Sequence, residues 1–384
     1  MAIKSKNFLL AFSVLIGTTI GAGIFGIPYV IFKSGLIPGL FYFIVLGGAV
    51  LLIHLFFGEI VLRTKEKYRL PGFALKYLGR PAEVLITISV IMGVAGSLLA
   101  YLILAGDFLK ILFPSLLNLS SFHFVLISWL VLSYFVFQGM KIIAPAELFT
   151  NSLFFFIAFI LFFFSLPKFD LSNFTFFPPT SGLSNIFLPF GIILFSLVGW
   201  SAIPEIGEIL KNPDEKKFFK KVIILSALIS AVFYILFGIL VAGVSGKNTS
   251  ADALSGLIPF LGSKIVFFGV LAGLITIADS FLVLALYLKN TLVYDLKFSK
   301  IPAFLVACGF PLILFLLGFR SFIDTIGFVG TVVGAVEGVI IILIFKRAQK
   351  TGDRQPEYSL KIPSVLLYFL MAIFVLGAVF QFLK

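Results

Sequence analysis

Long apolar runs separated by short charged segments organise the whole chain. A helix that crosses a bilayer needs about 20 predominantly apolar residues. Such runs lie near 8–32, 36–62, 82–112, 122–140 and 143–166. Six more lie near 186–211, 218–244, 263–289, 301–319, 321–345 and 364–383. The pattern predicts an all-α polytopic membrane protein with about eleven transmembrane helices. The longest stretches between them, near 63–81, 167–185 and 245–262, leave no room for a soluble domain. Residues 1–384 therefore read as one integral domain. Its helices 1–5 fall at about 8–166, helices 6–10 at about 186–345 and an extra helix 11 at about 364–383. The first run is too long for a signal peptide and lacks a small-residue cleavage site, so it reads as a retained helix.

Composition sharpens this picture. The 384 residues are 60% hydrophobic and 12% charged, with a mean hydropathy of +1.17. A soluble domain is about half apolar and a quarter charged. So few charges cannot cover a water-exposed surface, which excludes a soluble enzyme, a disordered chain and a nucleic-acid binder. The 50 phenylalanines suit a lipid-facing surface. Cys308 is the single cysteine, so no intrachain disulfide forms, and His54 and His123 lie too far apart for metal-ligand spacing. The net charge of +12 reads as loop bias. With the N-terminus inside, 22 of the 29 Lys and Arg fall on inner segments, among them Arg63, Arg69, Lys141, Lys216 and Lys350. The outer side holds Lys33, Lys110, Lys168, Lys247, Lys264, Arg320 and Lys384. Positive charge resists translocation, which predicts a cytoplasmic N-terminus and, with an odd span count, an extracellular C-terminus in the plasma membrane.

Two spans carry residues that interrupt helices. Gly17-Thr-Thr-Ile-Gly-Ala-Gly-Ile-Phe-Gly-Ile-Pro28 puts four glycines and a proline at the middle of the first. Glycine holds helical geometry weakly and proline lacks an N–H. Backbone groups freed at membrane depth must meet a ligand, an ion, water or other protein. This predicts a discontinuous helix with a substrate site at its break; the competing reading is a small-residue packing face through Gly23 and Gly26. The sixth span repeats the pattern with Gly199, Ser201 and Pro204, followed by Glu205 and Glu208, which are structural charges on a new half-helix or functional ones. The breaks are five spans apart, so their helices run in opposite directions. That is the arrangement of two inverted five-helix repeats with a site at their interface.

At these residues the chain resembles the amino acid–polyamine–organocation transporter superfamily. The stretch from Gly17 to Pro28 is similar to its first-helix signature, and the look is nearest to the hydroxy/aromatic amino acid permeases and the amino acid/auxin permeases. Gly58-Glu-Ile-Val-Leu-Arg63, Leu70-Pro-Gly-Phe73, Tyr77-Leu-Gly79, Ser280-Phe-Leu-Val-Leu284 and Tyr294-Asp295 support it. The resemblance spans helices one to ten. It implies a leucine-transporter-type 5+5 inverted repeat with discontinuous helices 1 and 6, and secondary active uptake of amino acids by alternating access.

An amino acid presents a carboxylate and an ammonium together, and a helix break suits both. N–H groups that open a half-helix hold the anion, and carbonyl ends hold the cation. The carboxylate is assigned to the backbone around Gly21, Ala22 and Gly23, beside Thr19. By resemblance, the ammonium meets carbonyls near Ile20 and around Gly199, Trp200 and Ser201. Gly93, Ser97 and Tyr101 share a face of the third helix. Tyr101 is a donor to the carboxylate or an interfacial aromatic. Trp200 and Phe195 are gate or lining residues, or ordinary belt and packing aromatics.

A charge at mid-bilayer costs at least ~2.5–3.5 kcal/mol, so it needs a function or a partner. Asp279 in the eighth span and Glu337 in the tenth lie deep. Glu59, Glu83, Asp107, Glu147 and Asp324 lie near span ends and read as interfacial, and His54 reads as an imidazole bonded to a neighbour or as a proton relay. Resemblance to sodium-coupled members maps a Na⁺ site onto the carbonyls of Gly17 and Ile20 with Thr276, Asp279 and Ser280, Asp279 replacing the usual threonine. A carboxylate there strengthens a Na⁺ site, carries the proton of H⁺ coupling or makes a structural hydrogen bond. Glu337, among Gly327, Gly330, Gly334 and Gly338, is a proton-pathway candidate or a packing partner. No cofactor is expected beyond H⁺ or Na⁺; the partners are an amino acid and the bilayer. A receptor of the germinant-sensor type on the same fold is the first rival. An intramembrane enzyme is less favoured, because no metal cluster, nucleophile elbow or nucleotide loop occurs.

Overall fold

The computed structural model describes residues 2–114, 119–138, 146–178, 183–294 and 296–382. Lys141, Asp295 and Lys384, the span ends near 140 and 143 and the Glu147 side chain lie outside the described residues.

The described residues form helices and no strand. The first span is split into α1 (Ala2–Thr19) and α2 (Gly23–Ser34), which bend by 52° at the break. Next come α3 (Leu36–Arg63), α4 (Leu70–Leu78), α5 (Arg80–Leu112), α6 (Ser121–Gln138) and α7 (Ala146–Ser165). The second half holds α8 (Leu183–Leu197), α9 (Ile203–Ile209), α10 (Pro213–Lys216), α11 (Phe219–Ser245), α12 (Ile258–Leu261) and α13 (Ser263–Tyr294). It ends with α14 (Lys300–Leu316), α15 (Phe322–Phe328), α16 (Gly334–Thr351) and α17 (Ser364–Phe382). Among the described residues, eight stretches are long and apolar enough to cross a bilayer, α8–α9 and α15–α16 each forming one; α1–α2 is a broken ninth. The apolar helices Ser152–Lys168 and Lys300–Leu316 are shorter. The chain is a polytopic membrane protein.

Lipid is as apolar as leucine, so close packing must hold the helices together. Phe156, Phe159 and Phe163 form an exposed stripe on α7, whereas small residues mark the interior. A methyl on Gly23 would stand 2.5 Å from Ser196 Oγ on α8, and one on Gly26 2.8 Å from Ile326 on α15. The interruption and the packing face therefore both occur, on successive turns: the break occupies 20–22, and the packing face begins at Gly23. Helix α2 runs through Pro28 without stopping.

Three features depart from the sequence pattern. The 63–81 loop contains α4, a nine-residue helix opened by a first-turn proline and closed at Gly79, whose φ of +91° suits glycine. A π-helical turn, Val329–Val333, joins α15 to α16. There a methyl on Gly330 would lie 1.9 Å from the Gly191 carbonyl, so only glycine lets α8 approach this closely. Glu59, expected at an interface, has no exposed surface. It accepts from Arg63 Nε at 2.8 Å, Ser359 Oγ at 3.1 Å and the Leu360 N–H at 2.6 Å, and Tyr358 donates to the Leu55 carbonyl at 2.6 Å. The segment between α16 and α17 is thus strapped onto the end of α3. This correction needed residues some 300 positions away in the chain.

Segments expected on one side of the membrane contact one another. Lys67 and Arg69 pair with Glu208 at 3.4 and 3.8 Å, Arg69 with Glu205 at 3.8 Å, and Lys76 with Asp353 at 2.7 Å. Asn7 donates to Glu215 at 2.9 Å on the same face. Segments expected on the other side also meet: the Leu36 N–H bonds the Thr175 carbonyl at 2.9 Å, and the Asp170 N–H the Gly243 carbonyl at 3.0 Å.

Candidate functional site

The two interruptions face each other. At the first, α1 ends at Thr19 and α2 opens at Gly23; Ala22 at the N-cap supplies no side-chain acceptor for the first N–H groups of α2. At the second, 198–199 leave the helix, Trp200–Ala202 form one 3₁₀ turn and α9 starts at Ile203 with Pro204 in its first turn, where proline is tolerated. A methyl on Gly199 would lie 2.4 Å from Thr19 Oγ1, so the breaks touch.

Neighbouring helices take up the freed backbone groups. Tyr234 of α11 donates its hydroxyl to the Thr19 carbonyl at 2.7 Å. The Gly199 N–H donates to His54 Nε2 of α3 at 3.2 Å. Trp200 donates its indole N–H to Glu337 Oε2 of α16 at 2.5 Å, and its ring meets the His54 ring edge-on at 6.2 Å. Trp200 and Glu337 are both buried.

A cavity of about 140 Å³ opens beside the paired breaks. Of the residues singled out from sequence, Gly17, Thr18, Thr19, Gly21, Gly23, Gly93, Ser97, Tyr101, Phe195, Trp200, Ser201, Asp279, Ser280 and Glu337 line it. Ile20, Ala22, Gly199 and Thr276 do not. The Ile20 and Ala22 side chains are buried in the core. Gly21 faces Tyr101 and Ser280: a methyl there would lie 3.1 Å from the Tyr101 hydroxyl and 3.7 Å from Ser280 Oγ. The Thr19 and Ser97 hydroxyls turn back onto the carbonyls of Leu15 and Gly93, both at 2.8 Å. Thr276 Oγ1 is buried without a hydrogen-bond partner. Asp279 and Glu337 are the charged lining residues; no Lys, Arg or His lines the cavity among the described residues. The remaining wall is mainly apolar, with Val90, Val94, Val329 and Val333, and includes Ser196 and Tyr287.

Glu205 and Glu208 sit on the charged face with Lys67 and Arg69, apart from the cavity. On that face the Asp353 carboxyl is held below the usual carboxylate range, chiefly by the Lys76 ammonium and next by the Lys65 N–H. The described His, Cys, Asp and Glu form no cluster able to hold a metal ion.

Tyr234 and Ser196 escaped the sequence reading. A signal existed for Tyr234: it is the lone phenol on a predominantly apolar helix, and a buried Tyr hydroxyl needs a partner. None existed for Ser196, whose role follows from the approach of α2.

Comparison with known proteins adds two findings. The model of the tryptophan/tyrosine permease family matches residues 4–381. Glutamine transporter 2 of Aliivibrio fischeri (strain ATCC 700601 / ES114) is 24% identical over 340 residues, covering 85% of this chain and 86% of that protein.

Proposed function

Because the chain belongs to the tryptophan/tyrosine permease family, and so is an amino acid transporter and not an enzyme, we propose that it works as a secondary active carrier by alternating access. The amino acid binds between the breaks of helices 1 and 6 and moves with Na⁺ or H⁺ into the cell. One observation carries this reading: two interrupted helices touch at Thr19 and Gly199 and share one cavity.

The chemistry of that cavity supports a zwitterion with a neutral side chain. No basic side chain lines it among the described residues, so a substrate carboxylate is left to the uncapped start of α2 at Ala22 and Gly23. Asp279 and Glu337 disfavour an acidic side chain. The relative is named for glutamine and the family for tryptophan and tyrosine, all neutral. Trp200, Phe195, Ser97, Tyr101 and Ser201 complete the wall around the side chain.

For the coupling ion, the proposed ligands are the carbonyls of Gly17 and Ile20 with Thr276, Asp279 and Ser280. The partnerless Thr276 hydroxyl suits a cation that takes oxygen ligands, and Asp279 suits either ion; Glu337 is a second proton carrier.

We place eleven spans in two inverted repeats plus a last helix, in the plasma membrane, with the N-terminus cytoplasmic and the C-terminus extracellular. In that frame the cavity faces the cytoplasm. It reaches Leu70, Val90, Tyr287 and Glu337, while Phe25, packed edge-on to Phe108 at 5.0 Å and Phe237 at 6.3 Å, closes the outer side. The test is uptake of a mixed amino acid pool into proteoliposomes under separately imposed Na⁺ and pH gradients. Gradient-driven accumulation supports the reading; binding without accumulation identifies a receptor.

A further inference from the structure

The second break is held by a residue outside the cavity. His54 lies on α3, 1% exposed. Its Nε2 accepts the Gly199 N–H, a group the interruption of α8 deprives of a helical carbonyl. Gly199 in turn leaves no room for a methyl beside Thr19 Oγ1, and Thr19 is the last residue of α1. The next residue, Trp200, meets the His54 ring and is tied to α16 through Glu337. We infer that His54 is a positioning residue for the substrate site: by accepting the Gly199 N–H it fixes where Gly199 and Trp200 stand against the first break and the cavity.

The other ring nitrogen strengthens the argument. With Nε2 as acceptor, the neutral ring carries its proton on Nδ1. Nδ1 is buried without a hydrogen-bond partner. A histidine kept only to fill the core would satisfy both nitrogens or be replaced by an apolar ring, because an orphaned buried donor is costly. Retaining that orphan makes sense when the acceptor at Nε2 is what the site requires. The bond joins a residue of helix 2 to the unwound part of helix 6, so any movement of the second break must carry α3 with it or break this contact.

This inference deepens the transport reading, and its test separates the two. The chain has two histidines and two tryptophans, which permits site-resolved spectroscopy. In protein labelled with ¹⁵N-histidine and reconstituted in nanodiscs, His54 should show the Nδ1–H tautomer; the Nε2–H tautomer overturns the proposal without any substitution at the site. Three variants then follow in a Trp129→Phe background, where Trp200 is the sole tryptophan. His54→Phe keeps a ring against Trp200 but removes the acceptor. His54→Gln restores an acceptor of similar reach, and His54→Asn carries the same amide on a shorter arm. Loss of the bond should shift Trp200 emission to the red, increase its quenching by acrylamide and raise the KM for glutamine counterflow about ten-fold. Phe and Asn should show all three changes, and Gln should restore values within about three-fold of wild type. Gln and Asn bury the same group, so their comparison stands even where Phe fails to fold. Equal behaviour of Gln and Asn, or an unchanged Trp200 spectrum in both, overturns the assignment. Spectral changes in the predicted order, with no glutamine counterflow in any protein including wild type, uphold the positioning role and exclude glutamine as the substrate.

Discussion

The contact between Trp200 and Glu337 provides a quantitative test of how the second break is held. Both residues are buried, and among the described residues Glu337 bonds to Trp200 Nε1 and to no cation. Trp200→Phe retains a ring but removes the donor, leaving a buried carboxyl without its hydrogen bond. An unsatisfied buried neutral group costs about 1–3 kcal/mol, and a charged one more. At about 1.4 kcal/mol per decade, this is roughly a 5- to 150-fold shift in the unfolding equilibrium. Replacing both partners by apolar groups is nearly neutral by the same principle, so Trp200→Phe with Glu337→Leu should be more stable than Trp200→Phe alone. The assay is unfolding by graded denaturing detergent in mixed micelles, on the four proteins of the double-mutant cycle. The expected coupling is about 1–3 kcal/mol. A loss below about 0.5 kcal/mol in Trp200→Phe, or additivity within about 0.5 kcal/mol, would refute the contact as a fastening of the break.

Four further outcomes are expected. Gly21→Leu should abolish substrate binding in folded protein, since its side chain would project at Tyr101 and Ser280; Gly23→Ala should already destabilise, because Ser196 Cα lies 2.9 Å from the new methyl, and thermal unfolding of both variants in detergent distinguishes the two. Asp279→Asn should preserve substrate exchange but lose accumulation if a proton is carried, or raise the half-saturating Na⁺ concentration if Na⁺ is bound; unchanged accumulation and ion dependence leave Asp279 a structural group. Membrane-impermeant amine reagents should label Lys216 and Lys350 from the cytoplasm and Lys247 from outside, and labelling Lys247 and Lys350 from the same side breaks the eleven-span topology. The Asp353 carboxyl is depressed in the folded protein by Lys76, so its contribution is present above the ordinary value of 3.8 and is lost as pH falls below it. The strap at 352–361 should become cleavable by an acid-active protease in that window, and Asp353→Asn should flatten the dependence.

Much of the architecture was legible in the sequence because a bilayer imposes simple rules. Apolar run length located the long helices: α3, expected at 36–62, occupies Leu36–Arg63, and α17, expected near 364–383, occupies Ser364–Phe382, whereas α1 and α16 extend further, to Ala2 and Thr351. Helix-weakening residues located both breaks, the glycines between Gly17 and Gly26 at the first and Gly199 with Pro204 at the second. The lining of the cavity was legible in large part too, since a broken helix at membrane depth must direct its free groups at something. Other features depend on which helices become neighbours, and no local pattern encodes that. Pro28 was expected to help interrupt the first helix; α2 tolerates it, and the interruption falls seven residues earlier, where Gly21 meets Tyr101 and Ser280. Glu59 looked interfacial until the α16–α17 segment was found to cover it. His54, Tyr234 and Glu337 each carry one polar group on an apolar helix, which announces a partner without naming it. Only tertiary packing paired them with the Gly199 N–H, the Thr19 carbonyl and the Trp200 indole. Composition decides that a segment enters the membrane and where it weakens, because those energies are local. Which buried donor meets which acceptor is decided by contacts between segments more than 100 residues apart.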